Sequence, residues 1–180
     1  MKNIFVIVGS SGSGKTSIGK KAFGSDNELV SHTTRAIRPK EQNGRDYHFV
    51  TLSEMKKLIE NDELVEYSEY NGHLYGISKA EIKNKTDKYE TFFITDRNGL
   101  DAITKLYPNN TISIFIDVPI TQLKNRLVKR NEQNIESRLA LYSSEQKLKT
   151  KTKYVIENNN FKQAVRDIKL IALKHRSVEK

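Results

Sequence analysis

Gly9-Ser10-Ser11-Gly12-Ser13-Gly14-Lys15-Thr16 fits the spacing G-x-x-x-x-G-K-[ST], and it constrains the chain more than any other eight residues. Such a loop works only if a strand delivers it and a helix leaves it. The backbone N–H groups then turn inward around an anion, and the helix dipole points at that anion. The flanks comply. Lys2 to Val8 is an apolar, β-branched run ending at a glycine, which reads as a buried strand. Lys15 to Phe23 reads as a helix opened by the loop. In this setting the Lys15 ammonium reaches the β- and γ-phosphates of a nucleotide, and the Thr16 hydroxyl holds Mg²⁺. A chance Gly/Ser turn would not account for the strand before and the helix after. The motif specifies nucleotide phosphates but no reaction, because GTPases, ATPases and small kinases share it.

With 180 residues the chain fits one domain, or one core carrying small inserted lobes. It holds no apolar run long enough for a transmembrane helix, and Met1 to Val8 is too short for a signal peptide, so a soluble cytoplasmic protein is expected. The absence of cysteine excludes disulfides and thiolate zinc sites. His32, His48, His73 and His175 show no metal-ligand spacing. The net charge of +9 attracts polyanions. Aromatic residues do not interleave the basic ones as a stacking surface for single strands requires, so nucleic acid is the weaker candidate. Most lysines read as solvated surface. The arginines matter more, because only their planar fork matches phosphate bidentately.

Further strands are expected at Tyr89–Thr95, Thr111–Val118 and Lys153–Ile156, and helices at Ile120–Arg130, Ile135–Leu148 and Phe161–His175. Strands alternating with helices imply a parallel sheet covered on two faces. Between Val30 and Tyr75 the pattern changes. A helix begins at Ser53, with its hydroxyl as the expected N-cap. Glu63–Tyr70 and Gly72–Tyr75 flank Asn71-Gly72, a strong hairpin signal. This middle part reads as an inserted antiparallel lobe.

A second constellation lies in that lobe. Ser31-His32-Thr33-Thr34-Arg35-Ala36-Ile37-Arg38-Pro39 is followed by Glu41, Gly44 and Asp46-Tyr47-His48-Phe49-Val50. Two arginines three apart with a tyrosine nearby suit a clamp on a second phosphate, though a solvated loop is an equal reading from spacing alone. The stretch S-x-T-T-R-x-x-R-x-x-E-x-x-G-x-x-Y-x-F-V resembles the guanylate kinase family. So do Glu66-Tyr67 through Gly72 to Tyr75-Gly76, Asp96-Arg97-Asn98-Gly99 and Asn158-Asn159. The resemblance runs from Val6 to about Phe161. It implies a P-loop α/β core with a parallel sheet at about 1–30, 78–125 and 139–180, an acceptor-binding lobe at about 31–77 and a short lid at about 126–138. It also implies transfer of the γ-phosphoryl group of ATP, with Mg²⁺, to GMP or dGMP.

Residue by residue, the resemblance implies the following roles. Gly9, Ser10, Ser11, Gly12, Ser13, Gly14, Lys15, Thr16 and Ser17, with Arg130 and Asn158, bind ATP. Arg35, Arg38, Tyr47 and Tyr75 bind the acceptor's phosphate. Ser31, Glu66 and Asp96 bind the guanine edge. Lys15, Arg35, Arg38, Arg126 and Arg138 carry the catalysis, with Thr16 on the metal. The chemistry of Glu66 stands independently. A carboxylate accepts two parallel bonds from guanine N1–H and N2–H, a pair that adenine lacks. Arg126 and Arg130 lie four apart on a predicted helix, and Arg138 follows the polar break Asn131–Asn134, which suits a lid.

The sequence also departs from the family pattern. Ile77 stands where Ser or Thr is usual, Ile94 where an acid is common, and Tyr67 where Trp is usual; the lid is short. Two rivals stay open, the first of them motivated by the isoleucines. One is a related kinase with another nucleotide or a sugar phosphate as acceptor. The other is a catalytically weak binding module of the same fold, though such modules usually have damaged phosphate loops.

Overall fold

The computed structural model describes residues 1–130, 132 and 135–176. Its main sheet is parallel and has the order β6-β1-β7-β8: β6 (Thr91–Ile94), β1 (Ile4–Val8), β7 (Thr111–Asp117) and β8 (Tyr154–Glu157). Every residue of β1 is buried, as a strand covered on both faces requires. Period-two alternation splits its side chains between two cores. Ile4, Val6 and Val8 pack with Phe93, Leu100, Ile103 and Phe115. Phe5 and Ile7 pack with Ile18, Ile114, Ala164 and Ile168. The first core lies under helices α3 (Lys79–Thr86) and α4 (Arg97–Leu106), the second under α1 (Lys15–Phe23) and α8 (Phe161–Lys174). Val118, Leu123 and Leu127 form a third, smaller cluster that seats α5 (Ile120–Lys129). Among the described residues no helix is long and apolar enough to cross a membrane.

The second sheet has the order β3-β2-β5-β4: β3 (His48–Phe49), β2 (His32–Thr33), β5 (His73–Ser78) and β4 (Leu64–Tyr70). The β4–β5 hairpin turns at Asn71 (φ 50°) and Gly72 (φ 74°), both left-handed as a type I′ turn demands. The antiparallel expectation holds for β4 with β5 and for β5 with β2. It fails for β2 with β3, which pair in parallel. The long Thr34–Tyr47 connection lets the chain cross back and run in the same direction.

Helix α1 has the bounds read from the sequence. α2 (Leu52–Glu60) starts before Ser53. Its cap is Thr51, whose hydroxyl accepts the Glu54 N–H (3.2 Å) while the Glu54 carboxylate accepts the Thr51 N–H (2.7 Å). This reciprocal pair satisfies two donors, where Ser53 alone would satisfy one. α3 and α4 have no counterpart among the helices expected from the sequence; they begin at side-chain caps, Ser78 and Asp96. The single helix expected from Ile135 to Leu148 is broken into α6 (Ile135–Ala140), α7 (Tyr142–Gln146) and a 3₁₀ segment, Lys147–Lys151. The Ser144 hydroxyl donates to the Leu141 carbonyl (2.7 Å), and the Tyr142 hydroxyl donates to the Val118 carbonyl (3.2 Å). Both bonds draw the chain off one helical axis. Of the polar break Asn131–Asn134, Asn131, Gln133 and Asn134 lie outside the described residues.

Gly19 sits where α1 crosses the sheet. A Cβ there would lie 2.6 Å from a ring carbon of Phe92, which is fully buried. Replacing a mid-helix glycine with alanine normally stabilises by about 1 kcal/mol. Overpacking a core costs about 1–3 kcal/mol, so the clash should win. Gly19→Ala is expected to lower the urea midpoint without changing the slope of the transition.

Candidate active site

The phosphate loop leaves the C-terminal end of β1, in the crevice where open α/β sheets bind ligands. Gly9, at φ 140°, passes so close to β7 that a Cβ would lie 2.5 Å from the Ile116 carbonyl oxygen. α1 then opens on Gly14 with no side-chain cap, unlike α2, α3, α4 and α8. Its first-turn N–H groups therefore face the loop without a side-chain acceptor, an arrangement suited to an anion. The hydroxyl oxygens of Ser10 and Ser13 are buried without partners among the described residues. Thr16 and Ser17 are exposed at the start of the helix.

Lys15 folds back over this loop and donates to the carbonyls of Gly9 (2.6 Å) and Ser10 (3.0 Å). Burial lowers its pKa to about 8, and the Glu145 carboxylate opposes that shift. Two arginines meet the same loop. Arg126 donates to the carbonyls of Asn158 (2.5 Å) and Ser13 (3.4 Å). Arg138 donates to the Ser11 hydroxyl and to the Glu132 carboxylate (2.8 Å). Asn158 donates from its amide nitrogen to the Ser13 carbonyl (2.7 Å), so it shapes the loop wall. Arg130 caps α5 and is exposed; its charge acts on Arg126, whose pKa is lowered first by burial and then by this neighbour.

The second sheet gathers the acceptor candidates. Thr33 opposes Tyr75, Tyr75 opposes Ser68, and Glu66 opposes Ile77, so these side chains share one face. The Tyr47 and Tyr75 rings meet edge-on at 5.8 Å. The Arg35 guanidinium lies 5.4 Å from the Tyr47 ring centre and donates to both oxygens of Glu41 (2.9 and 3.1 Å) and to the Ala36 carbonyl (2.8 Å). Glu41 also accepts the Arg38 backbone N–H (2.8 Å), while the Arg38 side chain is exposed. Glu41 thus organises both arginines. Its place in the sequence motif alone does not reveal this role. Ser31 stands at the entry to β2 and accepts the His48 N–H (2.9 Å) through its carbonyl.

Glu66 is half-buried, and its pKa is raised to about 7, first by burial and then by the charge of Asp96. The two carboxylates are therefore brought together, although Asp96 also spends one oxygen accepting the Gly99 N–H (3.1 Å) as the cap of α4. Ile77 is fully buried in the core with Ile82, Leu100 and Phe93. Beside Glu66 it supplies dryness and no donor. Among the described residues no cluster of three or more His, Cys, Asp or Glu could hold a metal. Oxygen donors such as the exposed Thr16 hydroxyl suit Mg²⁺.

The guanylate kinase family model matches residues 1–175. The chain belongs to the guanylate kinase family. Guanylate kinase of Thiobacillus denitrificans is 35% identical over 173 residues, covering 92% of this chain and 82% of the relative. That of Shewanella violacea is 36% identical over 175 residues, covering 92% and 84%. The crystal structure of guanylate kinase from Anaplasma phagocytophilum superposes with a TM-score of 0.76 at 26% identity, covering 98% of this chain and 88% of that one. A sugar kinase from a Janibacter species reaches a TM-score of 0.51 at 18% identity, a likeness of fold alone.

The raised Glu66 pKa has two consequences of opposite sign. Folding binds a proton that the unfolded chain releases near pH 4.5. The associated stability is complete below that value and is lost as pH rises through about 7. Accepting guanine N–H groups needs the carboxylate, so binding of a guanine ligand should strengthen over the same rise. Glu66→Gln is expected to raise the melting temperature at pH 8 and leave it nearly unchanged at pH 5. It should also flatten the pH dependence of GMP affinity between pH 6 and 8, measured by calorimetry.

Proposed function

We propose that this chain transfers the γ-phosphoryl group of ATP to GMP or dGMP, giving ADP and GDP or dGDP. The observation that carries the base assignment is Glu66: a half-buried carboxylate, raised toward neutrality, on the same face as the tyrosines and Arg35. Guanine supplies two donors to it. Adenine would oppose the ionised carboxylate with its N1 acceptor, leaving a half-buried charge unpaired unless the carboxyl first takes up a proton. The absence of a hydroxyl at Ile77 removes a neutral contact worth less than that charge-assisted pair, so guanine remains preferred but less strictly. The acceptor surface is proposed as about 31–77, the lid as about 126–138, and the core as the remainder. The cytoplasm, where ATP and GMP occur, is the proposed place of action.

In the reaction the acceptor's phosphate oxygen forms a bond to the γ-phosphorus as the bond to the ADP oxygen breaks. Such transfer asks for alignment and charge stabilisation more than covalent chemistry. Lys15 leaves the Gly9 and Ser10 carbonyls to meet the donor phosphates. Arg126 and Arg138 stabilise charge on the transferring group. Arg35, Arg38, Tyr47 and Tyr75 fix the acceptor's phosphate, with Ser31, Glu66 and Asp96 on its base. Mg²⁺ brought in on ATP and held by Thr16 would neutralise phosphate charge.

The test is kcat/KM for GMP, dGMP, AMP, UMP and CMP with ATP as donor. GMP or dGMP should lead the ranking. A preferred non-guanine acceptor would sink the base assignment and leave only a kinase of the family. Lys15→Ala should abolish transfer while the circular dichroism spectrum stays that of the wild type; near-normal activity would remove the donor assignment. Arg38→Ala should weaken GMP far more than ATP. A charge-assisted contact is worth about 1.5–3 kcal/mol, roughly a ten- to hundred-fold loss of affinity. Equal losses for both nucleotides would show that the clamp is misplaced.

A further inference from the structure

α7 (Tyr142–Gln146) carries one acidic side chain, Glu145, whose charge acts on Lys15 of the phosphate loop. Tyr142, at its start, donates to the Val118 carbonyl (3.2 Å), and Gln146, at its end, donates to the Asp117 carboxylate (3.3 Å). Both anchors lie at the C-terminal end of β7, the strand beside β1. Glu145 sits between them in sequence. Its Oε2 is buried and has no hydrogen-bond partner among the described residues. The charge of the carboxylate is felt at the Lys15 ammonium. The other charged side chains facing the loop, Arg126 from α5 and Arg138 from α6, are engaged with Ser13, Asn158, Ser11 and Glu132.

A buried carboxylate oxygen without a donor is unfavourable. Where a polyphosphate arrives it also repels, unless a cation arrives too. We infer that Glu145 is a positioning residue of the donor site, accepting a hydrogen bond from the water shell of the divalent cation that accompanies ATP. The inference rests on the donor-site reading above. Mg²⁺ sheds its waters reluctantly and keeps several when bound to phosphates, so a carboxylate one layer out can hold it through them. Such outer carboxylates are worth about ten- to a hundred-fold in metal affinity. Glu145 therefore has opposite effects on the two forms of the nucleotide. It disfavours ATP alone and favours ATP with its metal.

The experiment is calorimetry of ATP binding without acceptor, once in excess Mg²⁺ and once in EDTA, for wild type and Glu145→Gln. The expected result is unchanged or tighter binding of metal-free ATP and weaker binding of the metal complex. The ratio of the two affinities should fall by about ten-fold or more. Glu145→Asp keeps the charge and withdraws it by one methylene, and should retain part of the ratio; it carries the same test if the Gln variant does not fold. An unchanged ratio overturns the inference, whether both affinities rise, as for a plain counter-charge to Lys15, or both fall, as for a packing role. Wild type that binds ATP in neither condition would instead overturn the donor-site reading, and this inference with it.

Discussion

Where β1 ends, the backbone at Gly9 runs against the Ile116 carbonyl with no room for a side chain, and that approach ties the phosphate loop to the neighbouring strand β7. The contact depends on a sheet that is dry on both faces. β1 can be apolar at every position because α1 and α8 cover one side and α3 and α4 the other. The loop then emerges at a fixed height over the strand ends, with α7 anchored to Val118 and Asp117 at the adjacent one. The positions of Lys15, Arg126, Arg138 and Glu145 all follow from that edge.

The site groups charges that neutralise one another only in part. Lys15 is lowered to about 8 and Glu66 raised to about 7, each pushed toward its neutral form by burial. Arginine cannot follow that route, because it stays protonated. It is instead held by oxygens: Arg126 by two carbonyls, Arg138 by Ser11 and Glu132, Arg35 by Glu41 and Ala36. These contacts hold the guanidinium groups in place. They are also contacts that a phosphate can replace in part, since each guanidinium has five donors. The chain accepts some loss of stability at neutral pH to keep these groups ready for ligands.

What the sequence made legible was whatever has a short-range signature. The loop spacing, the bounds of α1, the Asn71-Gly72 turn and the apolar strands β1 and β7 each depend on neighbours within a few residues. α4 has readable apolar positions in Leu100 and Ile103, but a glycine in its first turn argues against helix, and the cap role of Asp96 is hidden within a motif that points to base binding. The break between α6 and α7 depends on Tyr142 reaching Val118, a contact 24 residues away that no local pattern reveals. Glu41 was visible as part of a motif, but its service to both Arg35 and Arg38 needed geometry. Glu145 had no motif at all; it draws notice only because one of its oxygens is buried without a donor.

The two sheets meet through β5, and its residues divide the labour one by one. Tyr75 faces the acceptor surface against Tyr47. Ile77, two residues on and on the same face, is already within the core beneath α3 and α4. Ser78 ends the strand by capping α3, accepting the Glu81 N–H (3.1 Å). Glu81 then accepts the Val30 N–H (2.9 Å) and pairs with Lys85 (3.1 Å) and His48 (3.3 Å), which fastens the far face of the second sheet to the helix. Burial works against the ionised carboxyl, but these partners hold its pKa at about 2, so Glu81 stays ionised throughout the neutral range and its bonds to Val30 and Lys85 weaken only in strong acid. Position 77 therefore cannot be judged as a specificity position alone. A serine there would bring a hydroxyl toward the base, but it would also open a gap in a fully buried cluster and bury a polar atom, at a cost of roughly 2–5 kcal/mol for the lost packing. Isoleucine therefore serves the buried cluster at that point and offers the second sheet no hydroxyl donor.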